Sequence, residues 1–271
     1  MTSRSDRPIR VGVQVAPQHD LYPSIRETVR RLEDLGVDIV FNWDHFYPLS
    51  GDPAGLHYES WTMLAAIAEQ TSRIEFGPLV NCNSYRNPDL QADMARTIDH
   101  ISAHSGSAGR FIFGTGSGWF QRDYDEYGYE FGTVGSRLDA LAVDVPRIRA
   151  RWEKLNPAPT RRIPILIGGG GERKTLKIVA EHADIWHSFS DTETLVRKLG
   201  VLDNWCAEVG RDPQEIELSS HVGERTTGVI DFETLDAQLE IGVRLFEIST
   251  TGPDYPLEHI TELLKWRDSQ S

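Results

Sequence analysis

The chain has 271 residues, of which 39% are hydrophobic and 25% charged, enough length and apolar content for one large core. Its 28 Lys and Arg against 41 Asp and Glu leave a formal charge of −13, which argues against nucleic acid and anionic membrane as general partners, since both need a cationic face. Cys82 and Cys206 lie far apart without metal-ligand spacing and read as free thiols, and neither a basic-then-apolar leader nor an apolar run of about 18 residues is seen, so a cytoplasmic location is expected.

Residues 11–15 (Val-Gly-Val-Gln-Val) form a compact strand ended by Pro17. Tyr22 to Leu35 carries Ile25, Val29, Leu32 and Leu35 at helical spacing, with Gly36 placed as the stop. Residues 38–43 make the second strand, running into Asp44-His-Phe46, and a polar loop leads to Glu59. A helix over 60–70, a strand over 73–80 and a helix opened by Asn87-Pro88 and ending near Ser102 follow. The fourth strand is the stretch 109–119, then a helix covers 137–154. Strand five is 163–167, with a glycine run at 168–171 and a helix over 173–182; strand six is 184–187, with its helix over 192–209. Strand seven is 215–219, a helix covers 232–241 before Gly242, strand eight is 243–248, and a helix over 255–266 closes the chain.

Short apolar strands thus alternate with amphipathic helices about eight times, which implies parallel strands and right-handed crossovers. Such units close most economically as a (β/α)8 TIM-type barrel, an α/β fold, in one domain over residues 1–271; a doubly wound open sheet is the competing architecture. In a barrel the active site lies at the C-terminal ends of the strands. There the sequence puts Gln14 and His19, then Trp43, Asp44 and His45, then Leu79 to Cys82, Thr115 to Trp119, Gly168 to Gly171, and His187. Within 109–119, Gly114, Gly116 and Gly118 alternate with Thr115 and Ser117, so a backbone there can approach a flat or anionic ligand closely.

The runs Trp43-Asp-His-Phe46, Asn83-Ser-Tyr-Arg-Asn-Pro88, Gly114-Thr-Gly-Ser-Gly-Trp119 and Ile167-Gly-Gly-Gly-Gly-Glu-Arg173, in this order and spacing, resemble the luciferase-like monooxygenase superfamily. The resemblance spans nearly the whole chain and is nearest to the coenzyme F420-dependent oxidoreductases. It implies a bacterial luciferase-like TIM barrel with a deazaflavin at the C-terminal mouth, a homodimer, and a cis peptide between non-proline residues at Leu79–Val80 or the next bond. One departure stands out: relatives carry a longer segment between Trp152 and Ile163 that helps to cover the site, so this shortened insertion before strand five predicts an open pocket or one covered by a partner subunit.

Residue by residue, His45 follows an acid at a strand end, where an imidazole titrating near neutrality suits proton transfer; the resemblance implies a base or an organiser of ring and substrate. Asp44 is its companion, read more as a contact to deazaflavin or substrate than as a proton carrier. The resemblance implies that Leu79 and Val80 back the ring, and that Asn81, Thr115, Gly116 and Ser117 hydrogen-bond the ring and its side chain. Gly169 and Gly170 precede a helix whose first turn carries Arg173 and Lys174, a combination suited to a phosphate. Trp43, His57, Glu59, Trp119 and His187 are placed toward substrate. Each has a plainer reading: structural histidines, core aromatics, a helix cap at Glu59, a simple glycine loop. No metal-ligand spacing is present, so no metal is expected. The expected activity is hydride transfer between F420 and a small organic substrate. The alternatives are an FMN-dependent monooxygenase using oxygen and a non-catalytic relative that binds a flavin or deazaflavin.

Overall fold

Runs of Val, Ile and Phe with residue-by-residue alternation become strands here, and the amphipathic stretches between them pack outside as helices. The computed structural model describes residues 6–104, 106–223 and 228–270. Among these, β1 (Arg10–Val15), β2 (Ile39–Asn42), β3 (Glu75–Pro78), β4 (Asn81–Cys82), β5 (Phe113–Gly116), β6 (Ile165–Gly168), β7 (Ile185–Ser188), β8 (Glu217–His221) and β9 (Val243–Thr250) form one sheet. Its order is β3-β2-β1-β9-β8-β7-β6-β5-β4 and every pairing is parallel. The two edges approach each other through a parallel bridge between Phe76 and Phe111, with Ile112 N–H donating to the Phe76 carbonyl at 2.8 Å. The sheet is therefore a nearly closed barrel of the (β/α)8 type. The strand read over 73–80 is β3, which ends at Pro78; a cis Leu79–Val80 bond follows, and β4 begins beyond it at Asn81.

Nine helices are described: α1 (Tyr22–Leu35), α2 (Ser60–Gln70), α3 (Pro88–Ser102), α4 (Gln121–Tyr127), α5 (Val134–Trp152), α6 (Thr175–His182), α7 (Thr192–Val209), α8 (Phe232–Glu240) and α9 (Glu258–Ser269). Local chemistry sets several ends. Gly36 closes α1 at φ +90°, a conformation that only glycine adopts freely. The Asn87 side chain accepts from the Asp89 and Leu90 N–H groups to start α3. Several boundaries differ from the sequence reading; helix α6, for one, starts at Thr175 rather than at 173. Strand seven starts two residues late because Pro213–Glu215 makes a 3-10 turn capped by Asp212. The last helix starts at Glu258 rather than Tyr255, since Pro256 disfavours helical backbone in the residue before it. Helix α4 was not foreseen: Gln-Arg-Asp-Tyr-Asp-Glu-Tyr has no apolar period, and only Asp123 and Tyr124 are buried.

Alternation along the strands builds three layers inside the barrel. At the N-terminal end Arg10 pairs with Glu75 at 2.7 Å and Glu217 at 2.5 Å. The waist is apolar, with Ile39, Phe41, Leu79, Ile112, Leu166, Ile185 and Leu245. The C-terminal layer is polar and holds Gln14, His187, Ser219 and Glu247, all buried. The segment between α5 and β6 packs on α3 at the N-terminal end, where Thr160 N–H and Oγ1 each reach Asp99 Oδ2 at 2.7 Å. This corrects the expectation drawn from its shortness: it lies at the opposite end from the mouth, so its length neither opens nor covers that pocket.

Candidate active site

A cavity of about 440 Å³ opens at the C-terminal end of the barrel. Its floor is Leu79 and Val80, consecutive residues that both line it, together with Gly116 and Gly168. A Cβ at Gly116 would stand 2.8 Å from Val80 Cγ2, and one at Gly168 would stand 3.0 Å from Val80 Cγ1. Glycine at these two strand ends is thus what leaves room for the Val80 side chain in the floor. Gln14 Nε2 donates to the Leu79 carbonyl at 2.7 Å and holds the floor from beneath. Ser117, Gly118, Trp119 and Gly169 continue the lining.

His45 forms one wall. Its Nδ1 lies 2.7 Å from Asp123 Oδ2, the same oxygen accepts from Tyr85 O–H at 3.0 Å, and Asp123 Oδ1 accepts from Phe46 N–H at 3.2 Å. Burial pushes the Tyr85 phenol well up, so Tyr85 stays a donor. The carboxylate therefore accepts a hydrogen bond from Nδ1–H, which leaves Nε2 as the nitrogen open to a ligand. Trp119 and Phe120 set their rings edge-on to the imidazole at 5.7 and 5.4 Å. Trp119 is 64% exposed and stands at the rim.

Asp44 also lines the cavity, with its carboxylate engaged in a bidentate pair. Arg86 donates to its two oxygens at 2.6 and 3.0 Å, and Cys82 N–H donates at 3.0 Å. Burial pushes the Asp44 carboxyl up while Arg86 pulls against it. The second Arg86 nitrogen also reaches Glu59 at 2.7 Å. Glu59 caps α2 by accepting from the Trp61 and Thr62 N–H groups, and it is outside the cavity lining. Trp43 lines the cavity, and its Nε1 donates to His57 Nε2 at 3.0 Å. Burial, then the neighbouring His45, pushes His57 down to about 4, so His57 is a neutral acceptor holding Trp43 in place. Burial raises the Cys82 thiol to about 11, which leaves it protonated and unreactive.

Other residues singled out in the sequence fall away from the cavity or turn away from it. The Asn81 side chain faces the helices, accepting from Trp61 Nε1 at 2.9 Å and donating to Gln91 at 2.8 Å; only the rest of the residue meets the cavity. Thr115 is fully buried on the strand face it shares with Phe113 in the outer core. Lys174 turns to Asp139 at 2.5 Å, and Arg173 lines a separate surface groove beside Trp205. The cation at the glycine run is instead Lys198 on α7. Its Nζ donates to Ser190 Oγ at 2.9 Å, and a Cβ on Gly170 would collide with it. His187 is buried in the barrel with Nδ1 2.8 Å from Ser219 Oγ, behind Phe189. Asp123, Lys198 and Phe189 were missed in the sequence, where nothing marks them. Arg86 lay inside a quoted motif and could have been found.

The described residues contain no group of three or more His, Cys, Asp or Glu able to hold a metal, and no helix long and apolar enough to cross a membrane. The luciferase-like monooxygenase family matches residues 8–223. The chain belongs to that family. Among individual relatives, the F420-dependent glucose-6-phosphate dehydrogenase of Amycolatopsis mediterranei (strain U-32) is 25% identical over 194 residues, 65% of this chain and 54% of that protein. The structure of an F420-dependent secondary alcohol dehydrogenase, in complex with an F420-acetone adduct, superposes with a TM-score of 0.78 at 18% identity, covering 94% and 98% of the two chains. The oxygenating constituent of 3,6-diketocamphane monooxygenase from Pseudomonas putida, with FMN, superposes with a TM-score of 0.63 at 14% identity, covering 81% and 68%. Proteins similar to this chain thus include F420-dependent and FMN-bound enzymes, and the family to which it belongs supports an oxidoreductase.

Proposed function

We propose that this luciferase-like protein transfers a hydride between coenzyme F420 and a small organic substrate at the C-terminal mouth of its barrel. The observation that carries the reading is the floor of Leu79, Val80, Gly116 and Gly168 beside an imidazole held by a buried carboxylate. The cradle suits a planar ring, because Gly116 and Gly168 admit the Val80 side chain, which with Leu79 gives the ring an apolar base. Leu79, Val80 and Gly116 would hold the ring, Ser117 and Gly169 its polar chain, and Gly170, Ser190 and Lys198 a phosphate. A bound 5-deazaflavin supplies a ring carbon that takes or gives a hydride. His45 Nε2 then accepts or returns the substrate proton, with Asp123 fixing the tautomer and steadying the charged imidazole. Trp43, Trp119 and Phe189 wall the substrate off from water. Asp44 acts through Arg86 and the Cys82 N–H to keep β4 in place.

The FMN-bound neighbour on the same fold supports a second reading, an FMN-dependent monooxygenase using oxygen. Fluorescence titration of the purified protein with F420 and, separately, FMN separates the two. Micromolar or tighter F420 binding with weak FMN binding is expected. The reverse preference moves the protein to the flavin monooxygenases, and binding of neither overturns the assignment of the floor.

A further inference from the structure

Behind the cavity lining, strands β7 to β9 carry a second carboxylate–imidazole pair that the mechanism above does not use. Glu247 on β9 is wholly buried. Its Oε2 lies 2.7 Å from His221 Nδ1 on β8 and 3.9 Å from His187 Nε2 on β7. Ser249 Oγ lies 3.3 Å from Glu247 Oε1 and 3.4 Å from Gln14 Oε1, and Gln14 in turn holds the cavity floor at the Leu79 carbonyl. Such interior positions ordinarily carry Val, Ile or Leu. Polar groups at strand C-terminal ends mark the functional end of this fold, and a buried carboxylate is unfavourable unless paired. Burial raises the Glu247 carboxyl, but His221 and then His187 outweigh it and hold it below its ordinary value. With Nδ1 committed to the carboxylate, the buried Nε2 of His221 has no hydrogen-bond partner among the described residues. Phe189 lines the cavity, is half-exposed, and rests its ring 4.5 Å from His187 and 5.8 Å from His221.

We propose that His221, positioned by Glu247 and covered by Phe189, is a second ligand-binding imidazole of this mouth, with Nε2 accepting a hydrogen bond from a hydroxyl of the substrate. Rotation of Phe189 about its side-chain bonds exposes Nε2 to the cavity without moving a strand. His45 and His221 then meet the substrate from two sides, which suits a substrate with two hydroxyl groups. The proposal rests on the functional reading for its substrate, yet its geometry is testable on the apoprotein.

Diethyl pyrocarbonate labels unprotonated imidazoles that reagent can reach, and peptide mass spectrometry identifies each one. At pH 7 His221 should be labelled in the wild-type apoprotein, and at least threefold faster in Phe189→Ala, with the surface histidines labelled equally in both. Absence of His221 label in both proteins while surface histidines react would overturn the proposal, as would equal His221 rates. Phe189→Leu, which keeps an apolar cover, should label at nearly the wild-type rate. If the protein takes neither F420 nor FMN, the labelling result still stands. Once a substrate turns over, His221→Gln should raise KM at least tenfold and shift the pH profile at unchanged cofactor affinity; an unaltered KM would also overturn it.

Discussion

Replacing Asp123 by Asn tests how the candidate base is held. The wild-type carboxylate accepts three hydrogen bonds, from His45 Nδ1–H, Tyr85 O–H and Phe46 N–H, and it is wholly buried. Asparagine keeps one acceptor oxygen and brings an NH2 that only donates. With its oxygen on Phe46 N–H, the NH2 faces His45 and Tyr85, and the imidazole can accept it only by moving its own proton to Nε2. That is the nitrogen facing the cavity, so the base is blocked. Two bonds to a charged acceptor are worth about 1.5–3 kcal/mol each, so stability should fall by about 3–6 kcal/mol, less what the new N–H···N bond returns. A positioned acid–base group contributes about 10²–10⁴-fold, and kcat should drop within that range while F420 affinity holds. Long-range ¹H–¹⁵N correlation on the apoprotein reads the tautomer, and the deazaflavin absorbance reads the rate. A folded Asn variant that keeps its His45 proton on Nδ1 and reacts at the wild-type rate would refute the argument.

Lys198→Met should weaken FMN and F420 about tenfold, or about 1.4 kcal/mol, and leave riboflavin, which lacks the phosphate, unchanged; equal loss for all three would show that Lys198 serves the fold alone. Gly116→Ala drives a methyl to 2.8 Å from Val80 and should cost about 1–3 kcal/mol as overpacking, with loss of cofactor affinity; normal binding at wild-type urea midpoint would contradict the floor. His57, pushed down to about 4 in the fold, takes up a proton near 6.5 when unfolded. Between these values the unfolded chain binds more protons, so stability should fall as pH drops from about 6.5 to 4. His57→Gln should flatten that slope in urea midpoints measured at pH 7 and 5; an unchanged slope would count against the buried neutral histidine.

How much of this was legible depends on how far each signal reaches along the chain. The alternation of strand and helix, the Gly36 stop and the Asn87 cap are local, and each appears in the structure where the residues placed it. Helix α4 escaped because a seven-residue polar helix has no periodicity; its place is fixed by burying Asp123 and Tyr124 against the barrel. His221 escaped because the 3-10 turn at Pro213–Glu215 delays β8 and moves that histidine from loop to strand end. Arg173 and Lys174 were the natural choice for a phosphate because they follow the glycine run, yet helix geometry turns Lys174 to Asp139.

The amino-acid sequence by itself determined the family, the parallel βα architecture and the end of the barrel at which chemistry belongs. These follow from hydrophobic period, turn residues and spacing, which act over a few residues at a time. Tertiary structure alone decided which groups meet. His45 finds Asp123 across 78 positions, Asp44 is taken by Arg86, and Lys198 arrives at Gly170 from the next helix. Asn81 faces the helices because Leu79 and Val80 both line the cavity and only then does strand alternation resume, while Thr115 does so on the face of β5 that it shares with Phe113. A side chain's partner is set by closure of the barrel, and closure is a property of all the strands together.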